Sequence, residues 1–193
     1  MKIATLVKLF HISMLAILVI GITPVVLAQS GQSSSDSNND DLASAQGMVK
    51  AVREATAKFQ DVNAAKPDYQ LTFGCVTGPD AGAMGLHYVN FKILGKGILD
   101  PAQPTILIYE PQPDGTQKLI GADFLVFKDQ WDAAHNNSGA PQLMGQLFQE
   151  FDAPNRFGLP SFYTLHVWAW KPNPNGAFVN WHPHVSCQSF TAP

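Results

Sequence analysis

At Pro67 the spacing of apolar residues changes from threes and fours to twos, and that change limits the architectures open to this chain. Before it, Leu42, Ala45, Val49, Val52, Thr56, Phe59 and Val62 recur at helical intervals, with Met48 and Ala55 alongside. Gln46, Lys50, Arg53, Glu54, Lys58 and Asp61 fall on the opposite side. This is the pattern of an amphipathic helix laid on a core. Asp40 and Asp41 stand where they can cap it and favour the positive end of its dipole, and Pro67 stops it. Beyond Pro67, proline and glycine cut the chain into short alternating runs that predict strands over 70–76, 86–94, 105–110, 118–127 and 162–170, with a weaker one over 177–181. Pro113-Asp114-Gly115 and Pro172–Gly176 read as turns. The stretch 131–160 is loop-rich, with one short helix expected near 142–151. One long N-terminal amphipathic helix followed by strands gives an α+β fold, the helix packed on a curved, mainly antiparallel sheet.

The chain has 193 residues, enough for one such domain, and its 46% hydrophobic and 14% charged content fits a packed core. Formal charge is −3 with no cluster of lysine or arginine, which sets nucleic-acid binding aside. Lys2 and Lys8 precede an apolar stretch, Ile12 to Ala28, that ends in Val26-Leu27-Ala28 ahead of Gln29. This reads as a secretory signal peptide over 1–28. The stretch is short for a membrane anchor, and Pro24 breaks its helix, so no membrane span is expected after cleavage. Residues 29–40, almost without apolar side chains, read as a disordered linker, and 41–193 as the single α+β domain. The expected location is the periplasm or the extracellular space. There an even cysteine count, Cys75 and Cys187, reads as a disulfide; neither has a second cysteine at metal-ligand spacing. Nothing in the pattern specifies an oligomeric state.

Four strings in order, GCVTGPDAGAMGLHYVN (Gly74–Asn90), ILIYEP (Ile106–Pro111), LHVWAWKPNPNG (Leu165–Gly176) and VSC (Val185–Cys187), resemble a group of exported bacterial proteins of uncharacterised function. The likeness runs from about Ala55 to Cys187, with glutamate expected in that pattern where this chain has Asp123 and Thr164. The resemblance implies export and the pairing of Cys75 with Cys187. It implies no activity.

Candidate chemistry follows from ionisable residues inside strands. His87 shares a face with Val89, Phe91 and Ile93, and Glu110 with Ile106 and Ile108, so each ends an apolar stripe and needs a partner. A connection centred near Ile98–Leu99 would set His87 opposite Glu110, with Cβ atoms about 5 Å apart. A turn centred on Asp114–Gly115 sets Asp123 opposite Ile106, about 13 Å from Glu110, so that Asp123 joins the site only through a bulge or a curled sheet. His166 alternates onto one face with Thr164, Trp168 and Trp170. His87, Glu110 and His166 are therefore the leading candidates for a small ligand or a divalent metal, since two imidazoles and a carboxylate suit zinc, iron or copper. Asp123, His182 and His184 are weaker ones. No spaced metal motif and no nucleophile elbow occurs, so a hydrolase using metal-bound water differs from simple binding only in turnover. Arg156, alone in its loop, offers at most an anion clamp. The reading that follows is an exported binder of a small ligand or metal in the cell envelope. Its rival is a non-enzymatic interaction module in which Tyr163, Trp168, Trp170 and Trp181 form an exposed aromatic face.

Overall fold

A computed structural model describes residues 33–78 and 80–192. The expected signal peptide, and residues 29–32 of the expected linker, lie outside them.

Helix α1 (Ser33–Thr56) starts inside the stretch read as a linker, and its turn around Asn38–Ala43 is exposed. Its side chains there stay exposed, so the apolar pattern does not register the turn. The buried line is Met48, Val52 and Thr56, one helical turn apart, and it continues to Phe59 in a short 3-10 turn, Ala57–Phe59; Leu42 is left exposed. The expected single helix breaks at Gln60–Asp61. Asp61 restarts it as α2 (Val62–Ala65) by accepting the Asn63 N–H at 2.9 Å, before Pro67 ends it.

Six antiparallel strands follow: β1 (Gln70–Gly78), β2 (Gly82–Val89), β3 (Ile106–Pro111), β4 (Gln117–Phe127), β7 (Gln149–Phe151) and β8 (Phe162–Val167). Their order is β1-β2-β3-β4-β8-β7, curled into a half-barrel. β2 stops at Val89 because Asn90 turns the chain into the helical turn α3 (Phe91–Leu94), its side chain accepting the Lys92 and Ile93 N–H groups at 3.1 Å. The short helix expected near 142–151 is instead β5 (Gln142–Leu143), β6 (Gln146–Leu147) and β7; a helix, α4 (Lys128–Ala134), forms earlier. The weak strand over 177–181 does not form. That segment ends at a single bridge, His182 to Ala83.

The sheet buries both faces. On one, Ala122, Phe124, Val126, Tyr163, Leu165 and Val167 pack against Met48 and Val52 of α1. On the other lie Ile106, Ile108, Leu125, Phe162 and Trp168, with Val185 of the C-terminal segment over them. A bulge alters this alternation: Ile108 pairs with Gly121 but Tyr109 pairs with Leu119, so Ile120 is the extra residue. Ile120 therefore joins one cluster and Leu119 another, and the Ile120 carbonyl accepts the N–H groups of Trp170 and Lys171.

Cys75 and Cys187 are disulfide-bonded, Cα to Cα 5.6 Å, which ties the C-terminal segment to β1. A close backbone approach does the same at Gly82, whose φ is +89° and where a Cβ would lie 2.0 Å from the His182 carbonyl oxygen. No helix among the described residues is long and apolar enough to cross a membrane.

Candidate functional site

Alternation along the strands sends His87 (β2), Ile106 (β3), Asp123 and Leu125 (β4), and Phe162 and Thr164 (β8) to the face turned away from α1. These six form the floor of a cavity of about 90 Å³. Its roof comes from the loop 152–160, through Arg156, Phe157 and Leu159, and from Asn180 and Trp181 of the C-terminal segment. Asn155 shapes the loop. Its Oδ1 accepts the N–H groups of Phe157 (3.2 Å) and Leu159 (3.3 Å), and its Nδ2 donates to the Leu159 carbonyl (2.9 Å). The Arg156 guanidinium lies over the rings of Phe157 and Trp181, 5.9 and 5.7 Å from their centroids. The walls are mostly apolar, and the volume holds about three waters or an end group of a few heavy atoms.

Into this setting the sheet carries an acid and an imidazole, each only 4% exposed. The Asp123 carboxylate accepts the Thr164 hydroxyl at 2.6 Å, yet burial pushes its pKa up to about 7 against the pull of that bond and of the Phe124 and Leu165 amides. His87 sits 3.0 Å from the Gly85 carbonyl through Nδ1. A carbonyl only accepts, so the proton is on Nδ1 and Nε2 holds a lone pair. Burial lowers the His87 pKa to about 4, which leaves the ring neutral at pH 7. Gly85 itself has φ +108°, and a Cβ there would meet the Tyr109 carbonyl oxygen at 2.6 Å, so no other residue could hold that anchor undistorted.

Asp123 does stand opposite Ile106 as expected, and opposite His166 on β8. On a flat sheet the His87 and Asp123 Cα atoms would be about 12 Å apart; curling lets both line one cavity.

The expected pairing of His87 with Glu110 is corrected. His87 faces Ile108, two residues off the predicted register, because the connection after β2 is not a symmetric hairpin but opens with the Asn90-capped turn. Glu110 keeps the predicted side of its strand but lies beyond the cavity, bound through both carboxylate oxygens to Lys171 Nζ at 2.8 Å. His166 is 1% exposed and stacked obliquely on Trp168 at 4.4 Å, and neither ring nitrogen has a partner. Burial first, then His87 and His182, hold its pKa well below the usual value. Trp170 is not beside it: β8 ends at Val167 and the chain rolls over, so that the Trp170 indole N–H donates to Thr56 of α1 at 2.9 Å. His182 is buried with both nitrogens engaged, Nε2–H donating to the Pro172 carbonyl and Nδ1 accepting the His184 N–H. Among the described residues, no three of His, Cys, Asp and Glu converge as a metal site. The aromatic residues do not form one exposed face either. Tyr163 is buried on the α1 side, Trp168 is buried on the other, and Trp181 belongs to the cavity.

Spacing alone does not single out Thr164, Asn180 or Phe157 as site residues. Thr164 is legible only as a face-mate of His166, while Phe157 and Asn180 come from loops with no period. The floor presents acceptors to whatever enters: the Asp123 carboxylate, the Thr164 oxygen and His87 Nε2. Comparison with known protein families, with characterised proteins and with solved structures finds no match.

Proposed function

We propose that this protein binds, without transforming it, a small and mainly apolar molecule whose end group enters the cavity between the sheet and its two-part roof. The observation that carries this reading is a buried carboxyl and a buried neutral imidazole opening onto one apolar cavity. Buried polar groups cost folding free energy unless partnered, and a ligand end group supplies the missing partners. The metal reading has less support, since Glu110 is held by Lys171 and His182 has no free nitrogen. The disulfide suits a non-reducing compartment, and with the sequence of the first 28 residues it supports an exported protein.

Benzyl alcohol is a suitable probe, its hydroxymethyl group being of the size that the cavity takes. Titration should give a saturable change in tryptophan fluorescence that is absent in Trp181→Phe, and a rise in Tm. If a panel of such small amphiphiles produces neither saturation nor stabilisation, the reading is wrong.

A further inference from the structure

We propose that the end group the cavity selects is an organic ammonium. This rests on the cavity reading above and names its ligand class. The hydrogen-bonding capacity of the lining points to it. Asp123 offers carboxylate oxygens. The Thr164 hydroxyl directs its proton to Asp123, so its oxygen is left as an acceptor. His87 Nε2 carries a lone pair because Nδ1–H is committed to Gly85. Asn180 donates through Nδ2 to Gln149 at 2.7 Å, while its Oδ1 is buried with no partner. The floor thus presents three acceptors, at Asp123, Thr164 and His87, and the roof adds a fourth at Asn180 Oδ1 beside its side-chain donors, Arg156 and the Trp181 indole. A hydroxyl brings one donor and a carboxylate none, whereas an ammonium brings three.

Charge and shape agree with that inventory. Among the described residues Asp123 has no cationic partner, and its carboxylate is buried, so a cation entering beside it removes the cost of its ionisation. Around it stand the rings of Phe73, Phe151, Phe157, Phe162 and Trp181, whose faces attract cations, as the Arg156 guanidinium over two of them shows. The ligand implied is a primary amine on a short methylene that carries an apolar body.

Benzylammonium against benzyl alcohol on the full chain, by calorimetry, tests this, since the pair differ mainly in the head group. The ammonium should bind about tenfold or more tightly than the alcohol, a charge-assisted contact being the stronger. In Asp123→Asn, checked for folding by its thermal transition, that preference should vanish while alcohol binding persists. Equal binding of the two by the wild-type protein overturns the ammonium inference and leaves the cavity reading standing; no binding of either overturns both. The wild-type comparison decides the matter even if the variant does not fold.

Discussion

Asp123 and His87 give the protein opposite responses to pH. Burial moves the Asp123 pKa from 3.8 to about 7. Between those values the folded chain holds a proton that the unfolded chain has released, so stability falls as pH rises through the window, by on the order of 4 kcal/mol in all. For His87, lowered from 6.5 to about 4, the unfolded chain takes up the proton first. Its contribution is complete above about pH 6.5 and is lost as pH falls toward 4, and His166 acts in the same sense. The wild-type profile therefore blends opposing slopes. Asp123→Asn removes one of them. In guanidinium unfolding the variant should gain on the wild type by roughly 1.4 kcal/mol per pH unit between pH 4 and 7, with a constant difference above. A difference independent of pH would mean that the carboxyl titrates as if exposed.

At the scale of elements, the strands were legible and their connections were not. Period-two alternation locates β1, β3, β4 and β8 closely, but Asp123 reaches Ile106 only because the Ile120 bulge shifts by one residue the register that the turn sets at Pro111 and Gln117. The link after β2 is not a symmetric hairpin, so the register assigned across it fails and Glu110 moves from the site to Lys171. The Ile120 bulge is equally silent in an apolar run, and so is the fate of 142–151, where Leu143, Leu147 and Phe148 suit a helix as well as the short strands that form. Half of the cavity comes from such segments. Loop 152–160 has one side chain that organises it, Asn155, whose amide bonds to Phe157 and Leu159 hold both residues over the floor. Asn155→Ala should lower stability by about 1 kcal/mol, these being bonds in a half-exposed setting. It should also loosen the roof, which increased binding of a hydrophobic dye under native conditions would report. Unchanged dye binding would show that the roof is held by Phe157 packing alone.

Across the whole molecule, the C-terminal segment is the piece on which cavity and fold both depend, since it is not a strand and has no helix to hold it. Its fastenings include the disulfide at Cys187, the paired backbone bonds between Ala83 and His182 at 3.1 and 3.2 Å, Lys171, which joins Glu110 to the His184 carbonyl at 2.7 Å, and the bonds from the Trp168 indole to the Val179 carbonyl and from Asn180 to Gln149. The disulfide closes a separation of 112 residues, for which loop-closure entropy gives roughly 4–5 kcal/mol, whereas two backbone bonds and a partly exposed ion pair are worth about 1 kcal/mol each. The covalent latch therefore dominates. When it is cut, the segment carrying Asn180 and Trp181 has only the weak contacts left and should open more often than the sheet beneath it. In Cys75→Ser/Cys187→Ser, the amides of Ala83 and His182 should exchange hydrogen faster while the β3–β4 amides stay protected, and any probe that fills the cavity should bind more weakly. Loss of protection throughout the sheet at once would instead mean that segment and sheet unfold as one unit, with the bridge stabilising the fold as a whole and not the roof in particular.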